Sequence, residues 1–173
     1  MKYVALLRGI NVGGNNIVEM SKLKKAFQSL GFANVSTYIN TGNVIFESNK
    51  KELSKLIEKA LFKTFGFQIR IVIRDAKNIQ KLCKLLPPDL TNNSEQKTDI
   101  LFLWDEYKNK NTLSLIKTKG VDTLKYIDGA IAWNVNKKDY KKSGMNKFIG
   151  TEVYKNMTAR NINTVRKLNA LMN

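Results

Sequence analysis

Apolar positions in this chain follow two rhythms, one of period two and one of three to four residues, and the rhythms alternate in a regular order. KYVALLR (2–8) reads as a strand. Apolar residues at 20, 23, 26, 27 and 30 predict a helix within MSKLKKAFQSLG, with Ser21 as N-cap and Gly31 as stop. VSTYIN (35–40) and VIFES (44–48) predict two strands joined by TGN, whose Asn and Gly suit a tight hairpin. Apolar spacing at 53, 56, 57, 60, 61 and 65 predicts a second helix over 49–66, and FQIRIVIRD (67–75) a fourth strand. The order is βαββαβ, the ferredoxin-like or alpha-beta plait arrangement.

The grammar then restarts. A third helix is predicted over 76–86 with Asp75 as its cap, and PPDLTNNSEQK (87–97) reads as a linker. TDILFLW (98–104) is a predicted strand and NTLSLIKTKG (111–120) a short helix. DTLKYI (122–127) and AIAWNVN (130–136) form a hairpin across Asp128-Gly129, and the last 30 residues read as helix, clearest over 163–172. The expected fold is therefore α+β. Residues 1–86 form a ferredoxin-like unit plus connecting helix, and residues 98–173 a modified βαββα unit with an extra C-terminal helix.

Plait topology gives the loops a geometry. The first and second strands run the same way, so the loop RGINVGGNN after strand one and the hairpin NTGN (40–43) open at the same end of the sheet. Glycines there allow positive φ and expose successive N–H groups that can cradle an anion, and Arg8 adds a bidentate cation. The spacing of Gly9, Gly13 and Gly14 is neither a P-loop nor a dinucleotide fingerprint. An equally direct reading is that Arg8 and the asparagines only hold the loop's own backbone. Near the other end, Ser143 and Lys147 are four residues apart and would share a helix face, a formal nucleophile pair. Read more plainly they are a cap and a solvated charge, and Thr158 or Asn161 an N-cap.

Composition narrows the chemistry. The chain has no histidine, which removes the usual catalytic triads and histidine metal sites. Its 14 acidic residues form no DxD or ExxE cluster, and a lone Cys83 excludes an internal disulfide, so no metal and no cofactor are expected. No apolar run is long enough for a membrane span or a signal-peptide core, and the reading is a cytoplasmic protein. A net charge of +16 points to anionic partners, although it is carried mostly by diffuse lysine, with arginine at only five positions. The third predicted strand carries no glycine-aromatic signature of an RNA-recognition sheet.

YVALLRGINVGGNN, GFANVSTYINTGNVIFES and TARNINTVRKLNAL together resemble an uncharacterised bacterial family catalogued as domain of unknown function 1697. The residues that match its pattern are Arg8, Gly9, Asn11, Val12, Gly13 and Asn16 in the first loop, with Gly42 and Asn43 in the hairpin. Ser143, Lys147, Thr158, Arg160, Asn161 and Thr164 match near the end. Glu19 departs from it, where proline is usual. The resemblance implies two plait domains and brings no activity, ligand or catalytic residue.

The expected function is binding of an anionic, phosphate-bearing ligand, a nucleotide or nucleic acid, at the loop after strand one. Arg8, Gly9 and the N–H groups around Gly13 and Gly14 would hold the phosphate, with Asn11, Asn16, Gly42 and Asn43 shaping and orienting. Ser143, Lys147, Thr158, Arg160 and Asn161 would complete the site from the second unit. Two alternatives stand beside it: a metal-independent enzyme acting on a phosphorylated small molecule, and a non-specific nucleic-acid binder driven by charge.

Overall fold

The computed structural model describes all 173 residues and has a mixed α+β architecture with two four-stranded antiparallel sheets. The chain divides into two compact units, residues 1–77 with 172–173, and residues 78–171.

In the first unit the elements run β1 (Lys2–Leu7), α1 (Met20–Ser29), β2 (Ala33–Tyr38), β3 (Asn43–Glu47), α2 (Leu53–Phe65) and β4 (Ile71–Asp75). The strands lie in the order β2-β3-β1-β4. Alternation along β1 sends Tyr3, Ala5 and Leu7 into a core with Val44 and Phe46 of β3 and Ile71 of β4. Leu23, Ala26 and Phe27 of α1 and Leu53, Ile57 and Leu61 of α2 close that face. Phe46 is the hub, edge-on to Phe27 at 5.3 Å and stacked on Phe32 at 4.6 Å. Val4 and Leu6, on the other side of β1, are as fully buried as Ala5 and Leu7, which explains why β1 is apolar on both faces.

The β2–β3 connection occupies residues 39–42, with Ile39 and Gly42 at positive φ. Gly42 accepts Leu7 N–H at 2.8 Å, and a Cβ there would sit 2.6 Å from Ile10 Cδ1. This close approach is why the hairpin tip carries glycine, and it brings NTGN onto the strand-one loop as the topology requires.

After β4, α3 (Ala76–Leu85) belongs almost wholly to the second unit: Asn78 Nδ2 donates to Asp128 Oδ2 at 2.9 Å and Lys125 Nζ to Leu85 O at 3.2 Å. Next come β5 (Gln96–Leu103), two 3-10 turns at Asp105–Tyr107 and Lys110–Leu115, then β6 (Asp122–Ile127) and β7 (Ala130–Asn136). A third 3-10 turn (Lys137–Lys142), α4 (Met145–Phe148), α5 (Glu152–Lys155), β8 (Met157–Asn161) and α6 (Ile162–Met172) complete the chain. The predicted all-helical ending is corrected here, because Met157–Asn161 is a strand paired along β5. The sheet order is β6-β7-β5-β8, the first unit's order repeated. Even single links recur. Leu7 N–H to Gly42 O and Arg8 N–H to Arg70 O have counterparts in Leu103 N–H to Gly129 O and Trp104 N–H to Asn156 O.

The crossovers differ between the units. Helices of 10 and 13 residues cover the first sheet, whereas 3-10 turns and two four-residue helices occupy the same places in the second.

Candidate functional site

The loop after β1 is a miniature hairpin held by its own asparagines. Val12 and Asn15 pair across Gly13 and Gly14, at φ 59° and 77°, the left-handed pair that a two-residue turn needs. Asn11 and Asn16 are left-handed as well, which asparagine tolerates better than other side chains. Asn11 Oδ1 accepts Val18 N–H at 2.8 Å, while its Nδ2 donates to Val18 O at 3.0 Å and to Asn40 O at 2.8 Å, fastening the loop to the β2–β3 connection. Asn16 Nδ2 donates to Gly9 O at 3.0 Å. Asn43, fully buried, donates to Tyr38 O at 2.9 Å and Thr41 Oγ1 at 3.1 Å. Arg8 is half-buried at the strand end, and its N–H donates to Arg70 O.

The two glycines do not lead into a helix N-terminus. α1 starts at Met20, its N-cap is Glu19, and Ser21 Oγ hydrogen-bonds the Glu19 carboxylate. The Glu19 carboxylate lies beside the first turn of α1 without accepting from its N–H groups, and five residues separate Gly14 from the helix.

The residues singled out near the end of the chain lie in the second unit. Ser143 is buried and stands before α4, with Gly144 as that helix's N-cap, so the expectation that Ser143 and Lys147 share a helix face is corrected. Ser143 Oγ donates to Asp122 Oδ1 at 2.5 Å and accepts Met145 N–H at 3.1 Å. Asn161 Oδ1 accepts Thr164 N–H at 2.9 Å and so caps α6, as the plainer sequence reading has it. Thr158 and Arg160 are buried in β8, where Arg160 Nη1 donates to Thr158 Oγ1 and Ala159 O. Burial lowers the Arg160 pKa to about 10, which leaves it charged at neutral pH.

Lys147 has a different setting. It lines a cleft of about 600 Å³ between the segment Leu115–Lys119 and the segment Gly144–Thr151. Leu115 and Phe148 form its apolar wall, and Lys117, Lys119 and Lys147 with Thr118 and Thr151 supply its polar groups. The three lysines are exposed and none is in an ion pair, while the neighbouring acids Asp139 and Glu152 are paired with Lys142 and Lys155. Phe148 is backed by Trp133 at 5.3 Å and Tyr154 at 5.6 Å, which keeps the wall rigid.

Asp122, at the start of β6, ties the two walls together. Its Oδ1 accepts Ser143 Oγ–H and Trp133 Nε1–H at 2.5 and 2.9 Å; its Oδ2 accepts Gly144 N–H and Lys119 N–H at 2.8 and 2.9 Å. Burial works to raise its pKa, but these hydrogen bonds outweigh burial and hold the carboxyl below its ordinary value. Gly144 lies so close to the facing wall that a Cβ would sit 2.5 Å from Lys117 O. Lys117, Thr118, Lys119, Asp122 and Thr151 carry no sequence signal beyond the KTKG stretch before β6, and sequence reading missed them as a group. No group of three or more cysteine or carboxylate side chains that could hold a metal ion forms in the chain. No helix is long and apolar enough to cross a membrane.

Comparison with known proteins adds kinship. The family model described as "Protein of unknown function (DUF1697)" matches residues 1–131. No curated protein matches the chain. Among solved structures, a conserved bacterial protein from Streptococcus pneumoniae is similar over 99% of this chain and 98% of its own, with a TM-score of 0.84 at 26% identity.

Proposed function

We propose, from the premise that the chain belongs to the DUF1697 family of proteins of unknown function, that it binds a small phosphate-bearing molecule in the cleft of its second unit. The observation that carries this is a cleft of about 600 Å³ whose lining holds three lysines and no carboxylate. That volume falls in the range of small-molecule sites, and an apolar wall with a few convergent polar groups is their usual chemistry. Lys117, Lys119 and Lys147 meet the phosphate, the Thr118 hydroxyl orients it, and the ligand's body lies on Leu115 and Phe148, while the Thr151 hydroxyl stays in its cap between Phe148 O and Tyr154 N–H. In this reading both units are ferredoxin-like plaits, and the second gained its cleft by shortening its crossovers. The Gly/Asn loop of the first unit serves as scaffold, its Asn11 and Asn16 amides being engaged by loop carbonyls.

Phenyl phosphate is the simplest probe, joining a ring to a phosphate. At ten times its Kd it should stabilise the protein by about 1.4 kcal/mol, a rise of roughly 4 °C in melting temperature. Inorganic phosphate should do less and benzyl alcohol almost nothing. Equal stabilisation by benzyl alcohol, or none by phenyl phosphate, contradicts the reading.

A further inference from the structure

The face of α2 turned away from its core carries an aromatic ring that the fold does not use. Leu53, Ile57 and Leu61 make the buried stripe of this helix. Phe62 lies off that stripe and is 57% exposed. With Lys55 and Lys59 it forms an i, i+4, i+7 line along the outer surface, and Lys63 follows directly. Beside the ring is a depression of about 410 Å³ bounded by Lys55, Glu58, Lys59, Phe62 and Gln68. Glu58 Oε1 accepts Ile71 N–H at 3.0 Å, so its carboxylate is fixed within that depression.

Charge on the surrounding surface is predominantly positive. Lys24 and Lys25 of α1, which packs beside α2, are exposed and in no ion pair, as are Lys59 and Lys63. The nearby exposed acids, Glu19 and Glu52, are each matched by a lysine three residues on. An exposed ring among unpaired lysines is the chemistry of single-strand nucleic-acid binding, in which bases stack on aromatics while cations follow the phosphates.

We propose that this face of α2 docks single-stranded nucleic acid. A base stacks on Phe62 and enters the depression, where Gln68 offers its amide to the base edge. The phosphates run outside along Lys59 and Lys63 and past Lys55, whose ammonium also meets Glu52 at 3.7 Å, because the Glu58 carboxylate repels them from the depression itself. An anionic membrane would be drawn by the same lysines, but a single exposed aromatic gives it little apolar area to bury. The recessed carboxylate favours a base over a headgroup.

The test is fluorescence anisotropy with a labelled single-stranded 12-mer RNA and the full chain. Phe62→Ala should weaken binding about tenfold with an unchanged melting temperature, since the ring is exposed. Replacing Lys55, Lys59 and Lys63 together by Gln should weaken it further and flatten the dependence of log Kd on log salt by up to about two units. Replacing Lys110, Lys138 and Lys141 together by Gln, which removes the same charge from the second unit, should change Kd by less than about twofold at fixed salt. Equal losses in the two lysine triples, or no loss in Phe62→Ala, overturn the proposal. So does binding to anionic lipid vesicles with none to the RNA.

Discussion

Asp122→Ala is expected to destabilise the protein by about 3 kcal/mol, a fall of roughly 10 °C in melting temperature, and to abolish phenyl phosphate binding. The loss is large because one carboxylate serves donors from the Trp133 ring, the Ser143 hydroxyl and two backbone amides, and both Trp133 and Ser143 are buried. A buried donor left without its acceptor carries its full desolvation penalty. Asp122→Asn should be nearly as damaging: each carboxylate oxygen faces two donors, so either orientation of the amide sets its NH2 against two N–H or O–H groups. The pH dependence separates this from simple loss of packing. A carboxyl held below its unfolded value of about 3.9 contributes stability that is fully present above that pH and lost as pH falls through the lower folded-state value. The difference in melting temperature between wild type and Asp122→Asn should therefore be constant from pH 5 to 7 and shrink below about pH 4. A difference that stays constant to pH 2.5 would count against the carboxylate's role.

Replacing Lys117, Lys119 and Lys147 together by Gln should weaken phenyl phosphate binding about 100-fold while leaving the melting temperature within a degree or two of wild type. The three ammonium groups are exposed, so each is screened and contributes about 1 kcal/mol to an anion rather than the larger value of a buried pair. Together they amount to about two factors of ten. Stability should hold because none of the three is in an ion pair, and removing like charge from a chain of net +16 relieves repulsion. Retained affinity in the triple variant would place the anion elsewhere. Loss of affinity accompanied by a large fall in melting temperature would show the lysines to be structural.

The first unit was readable because its elements are long and regular. Apolar spacing over α1 and α2 is clear, and glycines close both helices: Gly31 N–H donates to Gln28 O, and Gly66, at φ 79°, to Phe62 O. The second unit was harder for a physical reason. Its crossovers are turns of three to six residues, too short for any period to show. β8 escaped because MTARN places the charged Arg160 at a buried strand position, where alternation alone predicts an apolar residue. The Ser143/Lys147 spacing misled because a four-residue interval implies a shared face only inside one helix, and Gly144 starts that helix after Ser143. In the first loop the glycines correctly signalled left-handed backbone, while the left-handed Asn11 and Asn16 were read only as holding the loop's own backbone. Which partners their amides take is a tertiary matter, as the Asn11 to Asn40 bond shows. The cleft was invisible for the same reason: its lining comes from two segments far apart in sequence that Asp122 and the close approach of Gly144 to Lys117 bring together.

Amide-resolved NMR of the labelled protein titrated with phenyl phosphate distinguishes the second unit's cleft from the Gly/Asn loop as the anion site. Binding in the cleft gives saturable shifts at the amides of Thr118, Gly144, Lys147, Phe148 and Thr151, with Gly13, Gly14 and Asn16 unmoved. Shifts confined to Gly9–Asn16, with the cleft amides silent, would contradict it.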